Sequence, residues 1–269
     1  FNILKNIKEL DNSHYKKNHK HLKLIFNSSK KINFKNYLIK RFFGLIKTSY
    51  TDKLDLKLAN KNKIKINKKN FIQKYLPNNN FDKIVLIAPH AFTDSVHGFG
   101  KRFIFADTYQ QTVQTIKFIS NHKNKNILWI LKKHPRTKHY NEEGQIEKIY
   151  EKYRKDNIIL LDKSISTISA INLSDLVITG RGSIGLEAAS LGKRVIIAGY
   201  AVYENLGITI QPKNIKSYFN EIIKASNFKP LNNSQKKIAI KYLYFLDHYK
   251  SFELPENEIW KSIDTLNTN

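Results

Sequence analysis

The sequence predicts an α/β fold in which helices flank a doubly wound, parallel β-sheet. The main observation is a regular alternation of short apolar runs and amphipathic stretches after residue 81. The apolar runs, which we interpret as strands, occupy residues 84–88, 127–131, 158–161, 176–179 and 195–198. The amphipathic stretches, which we interpret as helices, occupy residues 109–120, 142–153, 165–173, 184–191 and 214–225. Short apolar strands separated by such helices are typical of right-handed βαβ units, which build parallel sheets.

Residues 1–80 form a basic N-terminal segment that precedes this pattern. We predict helices at 33–46 and 69–76 there, and a linker at 77–80. Residues 81–269 form the predicted sheet domain, whose last apolar helix, at about 236–248, is expected to pack on a neighbouring domain. The strand at 176–179 is the clearest, because its largely apolar and β-branched side chains suit a strand covered on both faces.

The composition is that of a folded, basic chain. Hydrophobic residues make up 41% of the 269 residues, which supports a real core, and the net charge is +25. Residues 1–80 carry 20 Lys and Arg against 4 Asp and Glu, whereas residues 81–269 carry 27 against 18. Two explanations account equally well for this excess of basic residues. One is the coding bias of an AT-rich genome, and the other is contact with anionic lipid, anionic polysaccharide or nucleic acid.

Several absences in the sequence narrow its class. The chain has no Cys, which excludes disulfides and cysteine-based metal or redox chemistry. No apolar run approaches the ~20 residues that cross a bilayer, and no signal peptide is visible. We therefore expect a cytoplasmic protein, and peripheral attachment to the inner membrane face is compatible with this expectation. The chain begins at Phe1 and contains no Met, which favours an N-terminally truncated fragment.

A glycine-rich turn follows the predicted strand at 176–179. Gly180, Gly182 and Gly185 remove side chains where the backbone turns sharply and a ligand comes close. Ser183 stands where the next helix presents free N–H groups and the positive end of its dipole, which suits a phosphate. Glu187, one helical turn further, is placed to accept hydrogen bonds from a ribose. The alternative is an ordinary strand-to-helix turn whose glycines serve only backbone geometry.

A second motif, Lys132-Lys-His-Pro135, follows the predicted strand at 127–131. Pro135 restricts His134 to extended geometry, so the imidazole leaves the strand end in a limited range of directions. A histidine there can donate to a phosphate oxygen and stabilise a departing nucleotide, while Lys132, Lys133 and Arg136 add positive potential. An ordinary turn histidine is the alternative, but together with the glycine turn the motif predicts a nucleotide-sugar site.

The loop after the first predicted strand gathers five titratable side chains: His90, Asp94, His97, Lys101 and Arg102. One interpretation assigns acid/base catalysis to Asp94 or a histidine, and phosphate or sugar-carboxylate binding to the two cations. A metal site built from the histidines and Asp94 is a second interpretation, and a polar surface loop is a third. All three motifs lie at carboxyl ends of predicted strands, where doubly wound sheets bind ligands at a topological switch point.

These residues resemble the capsule polysaccharide biosynthesis family, which includes bacterial Kdo transferases. The resemblance covers about residues 82–210 and rests on His-x-Phe-x-Asp at 90–94, Lys-x-His-Pro at 132–135 and Asp-x-x-Ile-Thr-x-x-Gly-Ser-x-Gly-x-Glu at 175–187. It implies a GT-B-like fold with a Rossmann-like C-terminal domain that holds the donor nucleotide. The 80 basic, mostly helical N-terminal residues would be an incomplete remnant of the acceptor domain.

The resemblance also implies a metal-independent glycosyltransferase that uses a nucleotide-activated sugar, with CMP-Kdo first among the donors, and a polysaccharide or glycolipid acceptor. The chain has no Asp-x-Asp metal motif, and no cofactor is expected. Asp94 and His134 are the catalytic candidates. The donor-binding candidates are His90, Lys101, Arg102, Lys132, Pro135, Gly182, Ser183, Gly185 and Glu187.

Other functions are compatible with parts of the sequence. CDP-glycerol glycerophosphotransferases and sugar-nucleotide epimerases use similar arrangements of a glycine turn and a Glu. A basic module that binds nucleic acid or a membrane surface would show steep salt dependence and no preference for nucleotide sugars. Nucleic acid is the least favoured partner, because no aromatic-basic recognition motif is present. Attachment to an anionic membrane is compatible with transferase activity, because acceptors in this family are often lipid-linked.

Overall fold

A five-stranded parallel sheet forms the centre of the molecule. The computed structural model describes residues 33–42, 66–76, 81–93, 103–122, 126–138 and 140–248. The strands are β1 (Lys83–Ala88), β2 (Ile127–Leu131), β3 (Ile158–Leu160), β4 (Leu176–Thr179) and β5 (Arg194–Ile197), in the spatial order β3-β2-β1-β4-β5. The five predicted strands are confirmed to within one residue at each end, and so is their doubly wound parallel arrangement.

Helices cover both faces of the sheet. In the described ranges they are α1 (Phe34–Phe42), α2 (Lys68–Tyr75), α3 (Thr108–Ser120), α4 (Gln145–Tyr153), α5 (Thr167–Leu173), α6 (Ser183–Ser190), α7 (Ile215–Ile223) and α8 (Asn233–His248). A 3-10 turn at Lys224–Asn227 follows α7. None of these described helices is long and apolar enough to cross a membrane.

The predicted helices are confirmed in position, with differences at their ends that have local causes. Helix α4 begins at Gln145 and not at residue 142, because Gly144 precedes it with a φ of +81°, outside the helical region. Helix α5 begins at Thr167 because the Ser166 side chain caps it by accepting a hydrogen bond from the Ser169 N–H. The part of the first predicted helix beyond Phe42 lies outside the described residues.

Side chains of the strands alternate between two separate cores. On β1, Ile84 and Leu86 face the core formed with α1, α2, α5, α6 and α8, whereas Val85 and Ile87 face the core formed with α3, α4 and α7. Because helices cover both faces, the strands are apolar except at Lys83, Thr179 and Arg194 at their ends, and β2 is buried at every position.

Both described helices of the N-terminal segment pack on the first of these cores. Tyr37 of α1 and Phe71 of α2 are buried in it. Lys68 Nζ lies 3.3 Å from Asp175 Oδ2, which also accepts a hydrogen bond from the Ile84 N–H at 2.8 Å. Asp175, although part of the 175–187 motif, therefore stabilises the amino-terminal edge of the sheet. The predicted linker at 77–80 lies outside the described residues, and the domain boundary at residue 80 stays a prediction.

The strand order places a topological switch point beside β1. Strand β1 pairs with β2 on one side and with β4 on the other. The chain moves outward from β1 through β2 and β3, then returns to the other side of β1 for β4 and β5. Doubly wound sheets bind ligands beyond the carboxyl ends of the strands at such a point, and we refer to this position, beyond the ends of β1 and β4, as the crevice.

Candidate functional site

Three loops converge on the crevice between β1 and β4. His90 follows β1, His134 follows β2 and Gly182 follows β4. The rings of His90 and His134 stack with their centroids 5.8 Å apart and their planes inclined by 22°. A Cβ placed on Gly182 would stand 3.5 Å from His90 Cδ2. The structure therefore brings together three of the site residues predicted from the sequence, one from each motif.

The contacts of His134 favour one tautomer of its neutral ring. Its Nδ1 accepts a hydrogen bond from the backbone N–H of Arg136 at 3.3 Å. A ring nitrogen that accepts does not carry a proton, so the neutral imidazole carries its proton on Nε2. The exposed Pro135 between them has no N–H of its own and restricts the backbone of His134. In the neutral ring, Nε2 is therefore the nitrogen that can donate a hydrogen bond.

Helix α6 begins at the same crevice. Gly182 occupies its N-cap position with an extended backbone (φ −66°, ψ 159°), and the exposed Ser183 is the first helical residue. Because glycine has no side chain, the N-cap residue itself does not cap the first-turn N–H groups. A helix N-terminus whose N-cap residue supplies no side-chain hydrogen bond, with its positive dipole end, favours a bound anion.

Tyr203, in the loop after β5, packs against this glycine turn and forms a hydrogen bond with it. Its hydroxyl donates to the Gly182 carbonyl at 2.6 Å, and its ring is fully buried. A Cβ on Gly185 would stand only 2.2 Å from the Tyr203 hydroxyl oxygen, so this glycine leaves room for a tyrosine. Burial, with a smaller effect from Glu187, raises the pKa of Tyr203, which keeps the hydroxyl protonated as a donor. The predicted contact of Gly185 with a donor stays a prediction, whereas the structure gives Gly185 a packing role.

Gly180 is fixed by the segment that follows β5. Its carbonyl accepts hydrogen bonds from the backbone N–H groups of Ala198 and Gly199 at 2.9 and 3.1 Å. A Cβ at Gly180 would stand 3.2 Å from Oε1 of the buried Gln111. The first glycine of the turn therefore serves the packing of α3 against the turn.

The two lysines of the His-Pro motif have protein partners. Lys132 is 8% exposed, and its ammonium donates to the Ile165 carbonyl at 2.7 Å. Lys133 forms an ion pair with Glu147 of α4. Partial burial opposes ionisation of Glu147, but the hydrogen bond from Lys133 outweighs it and lowers the pKa of Glu147. The predicted contact of Lys132 with a donor phosphate stays a prediction, and its visible role is to tie the end of β2 to the turn before α5.

Glu187 lies in a largely buried network that reaches the N-terminal segment. Its Oε1 is 3.1 Å from Arg41 Nη2, and Arg41 Nε is 2.7 Å from Asp247 Oδ2. The Tyr37 hydroxyl donates to the same Asp247 oxygen at 2.6 Å. Burial opposes the charge of Arg41, but the carboxylates of Glu187 and Asp247 outweigh it and raise the pKa of Arg41. The prediction that Glu187 lies near a ribose is untested by this geometry.

Glu142 contacts a loop of the candidate site, which the sequence did not indicate. Only 2% of it is exposed, and its Oε1 accepts hydrogen bonds from the Thr93 N–H at 2.7 Å and the Thr93 hydroxyl at 2.8 Å. It therefore connects the loop after β1 to the loop after β2, which carry His90 and His134. A buried Glu in a predicted helix gives no sequence signal of this kind, because its partner is 49 residues away.

Four predicted residues lie outside the described part of the chain: Asp94, His97, Lys101 and Arg102. Their predicted roles stay predictions. Among the residues that the structure does describe, no cluster of three or more His, Asp or Glu side chains is arranged to hold a metal ion.

Comparison with known proteins identifies a family and several similar structures. Residues 5–241 match the family model described as capsule polysaccharide biosynthesis protein. Thermosulfurimonas dismutans KpsC, β-Kdo 2,7-transferase, is 18% identical with a TM-score of 0.38, over 77% of this chain and 57% of that one. Thermosulfurimonas dismutans KpsC, β-Kdo 2,4-transferase, is 17% identical with a TM-score of 0.36, over 59% and 44%.

A third similar structure is S. aureus MnaA with UDP, at 12% identity and a TM-score of 0.42, over 66% of this chain and 45% of that one. This chain thus spans roughly half the length of the solved structures that it matches. No functionally curated protein matches it.

Proposed function

We propose, from the premise that this chain belongs to the capsule polysaccharide biosynthesis protein family, that it is a glycosyltransferase acting on a nucleotide-activated sugar. CMP-Kdo is the favoured donor, and a polysaccharide or glycolipid is the acceptor. The family match crosses residue 80, so the basic N-terminal segment is part of the family sequence and is not an unrelated extension.

One observation carries the proposal: a histidine pair and the N-terminus of a helix face one crevice at the switch point of the sheet. His90 and His134 stack at 5.8 Å, and Gly182 at the start of α6 lies against His90. Imidazole N–H groups and the backbone N–H groups at a helix N-terminus are donors suited to phosphate oxygens. A nucleotide phosphate is the ligand chemistry that uses both together.

The proposed reaction is displacement of the nucleotide by an acceptor hydroxyl. The acceptor oxygen bonds to the anomeric carbon of the sugar while the bond from that carbon to the phosphate oxygen breaks, and the nucleotide leaves with the electron pair. His134 Nε2–H and the N–H groups at the start of α6 stabilise the negative charge that develops on the phosphate. Asp94 is proposed to take the proton of the acceptor hydroxyl.

The other candidate residues have supporting roles in the proposal. Ser183, exposed at the first position of α6, donates its hydroxyl to the phosphate, and Glu187 accepts from the ribose. His90, Lys101 and Arg102 add donors and positive charge around the donor. Pro135 acts through the backbone of His134, and the charge of Lys132, held at the end of β2, contributes to the potential of the crevice.

Product analysis tests this function. The chain is incubated with CMP-Kdo and an oligosaccharide or glycolipid acceptor, and released CMP and the mass of the acceptor are measured. Addition of one Kdo mass with equimolar CMP supports the proposal. Transfer of glycerol phosphate from CDP-glycerol, or isomerisation of a nucleotide sugar, would move the assignment to a glycerophosphotransferase or an epimerase. Absence of turnover with every nucleotide-linked donor would refute the enzyme assignment.

A further inference from the structure

We propose that Glu142 is a positioning residue that sets the distance between His90 and His134. This inference rests on the proposed function only in that it assigns the two histidines to the donor site. The hydrogen bonds from which it is argued are contacts within the protein, and every one of them is made by described residues.

The carboxylate of Glu142 is held in one orientation. It is 2% exposed, and a single oxygen accepts from both the N–H and the hydroxyl of Thr93, at 2.7 and 2.8 Å. A buried carboxylate is costly unless it is hydrogen-bonded, so the protein gains these two contacts only if Thr93 stays in place. Glu142 therefore restrains the backbone of the loop after β1 at Thr93.

The backbone of Glu142 is held as firmly as its side chain. Its N–H donates to the Thr137 carbonyl at 2.8 Å, and its own carbonyl accepts from the Gln145 N–H at 3.2 Å. Gly144, whose backbone is in the left-handed region, lies between Glu142 and the first residue of α4. Glu142 is thus anchored to the loop that carries His134 and to the helix that follows that loop.

The position of Thr93 in the sequence explains why its contact with Glu142 affects the site. Thr93 comes three residues after His90 and directly before Asp94. Between them, the Ala91 carbonyl accepts from the hydroxyl of the buried Thr108 at 3.0 Å. The loop is therefore hydrogen-bonded to α3 through Ala91 and to Glu142 through Thr93, and Glu142 belongs to the segment that follows His134. Displacement of a contact group by about 1 Å can lower turnover by about 10²-fold, so we expect the contact between Thr93 and Glu142 to matter for function.

Three variants test the proposal. Glu142→Gln keeps an oxygen that can accept both hydrogen bonds, whereas Glu142→Ala removes it, and Glu143→Ala removes the exposed neighbouring carboxylate as a matched control. The two measurements are the NMR chemical shifts of the His90 and His134 ring protons and the calorimetric affinity for CMP. We expect Glu142→Ala to move both ring-proton signals and to weaken CMP binding by about 10-fold or more, with Glu142→Gln within about 3-fold of wild type.

A second pair of variants keeps the test decisive if Glu142→Ala does not fold. Thr93 is exposed, so Thr93→Val removes only its hydroxyl donor, and Thr93→Ser retains that donor. We expect the valine variant, but not the serine variant, to move the same ring-proton signals. Unchanged histidine signals in the folded Glu142→Ala or Thr93→Val protein would overturn the positioning role. Histidine signals that move in a protein whose wild type binds no nucleotide would leave Glu142 as a positioning residue and refute the donor site.

Discussion

At the scale of single residues, His134 is the side chain on which the proposed chemistry depends most. Its Nδ1 accepts a hydrogen bond from the Arg136 N–H, so in the proposed mechanism Nε2–H, and not Nδ1–H, is the donor to the ligand. This assignment separates two substitutions that are otherwise similar. The amide of Gln reaches the position of Nε2, whereas the shorter amide of Asn reaches only the position of Nδ1.

We therefore expect His134→Ala to lower kcat by more than about 10-fold, because a donor to the leaving phosphate is lost. His134→Gln should retain more activity than His134→Asn. His122→Ala, at the C-terminal end of α3, is the control and should leave kcat unchanged. Steady-state kinetics on folded variants decides the matter, and wild-type turnover in His134→Ala would remove this residue from the mechanism.

The sequence located His90, His134 and Gly182 because each follows a recognisable apolar strand. It could not reveal the residues that hold them. Tyr203 contacts Gly182 across 21 residues, Thr93 contacts Glu142 across 49, and Arg41 contacts Glu187 across 146. Such partners are set by the strand order and by the packing of helices on the sheet, which no local pattern encodes.

At the scale of elements, the turn from β4 into α6 shows two different uses of glycine. Gly182 has room for a methyl group in the protein itself, and its φ of −66° suits any residue. Gly185 has no such room, since the Tyr203 hydroxyl occupies the position of its missing side chain. From the sequence both glycines were predicted to contact the donor, and the structure separates them because it shows what lies behind each.

A double-mutant cycle tests the packing role of Gly185. Gly185→Ala should destabilise the fold by about 1–3 kcal/mol through overpacking, and Tyr203→Phe by about 1 kcal/mol through loss of the hydrogen bond to Gly182. In the Tyr203→Phe background, Gly185→Ala should cost at least about 1 kcal/mol less than in wild type, because the clashing oxygen is gone. Recovery will be incomplete, since the ring carbon Cζ is also only 3.0 Å from the new methyl.

Urea unfolding at 25 °C measures the four proteins of this cycle. Strict additivity would show that Gly185 and Tyr203 do not share space. In that case a ligand contact would again be the better explanation of Gly185.

The elements themselves were predictable because each strand is a continuous apolar run between polar segments. Where a helix start was misplaced, as at α4, the cause was a backbone conformation: Gly144 adopts a positive φ, and Glu142 is used in a turn. A pattern of apolar residues does not distinguish that turn from a first helical turn, because Ile146 and Ile149 are buried in either case.

At the scale of the whole molecule, described residues of the basic N-terminal segment make buried polar contacts with the sheet domain. Arg41 bridges Glu187 of α6 and Asp247 of α8, and Tyr37 donates to Asp247. Burial and the charge of Asp247 raise the pKa of Tyr37, so it remains a donor at neutral pH. The network links the segment to the helix whose N-terminus forms the candidate site.

We expect Arg41→Ala to lower the free energy of unfolding by about 3 kcal/mol, because it leaves two largely buried carboxylates without their cation. Adding Asp247→Asn should recover part of this loss by removing one of those charges. Arg154→Ala, whose ion pair with Glu151 is exposed, should cost no more than about 1 kcal/mol and serves as the control. Equal effects of Arg41→Ala and Arg154→Ala in urea unfolding would show that the network does not hold the segment in place.

The proposed function requires a nucleotide bound between His90 and the start of α6, and Gly182→Ala is the substitution that tests this site. The new methyl fits the protein, with its nearest neighbour His90 Cδ2 at 3.5 Å, but it stands in the proposed phosphate site. At the N-cap it should cost no more than about 1 kcal/mol of stability. Ser183→Ala, which removes one proposed donor, provides a milder second variant.

The measurement is calorimetric titration of wild type and both variants with CMP, CDP, UDP and GDP. We expect wild type to bind one of these nucleotides selectively. Gly182→Ala should then bind it at least about tenfold more weakly, which corresponds to 1.4 kcal/mol, with an intact thermal transition, and Ser183→Ala should lie between the two. Undiminished affinity in a folded Gly182→Ala protein, or no nucleotide binding by wild type, would rule out a nucleotide site beside Gly182.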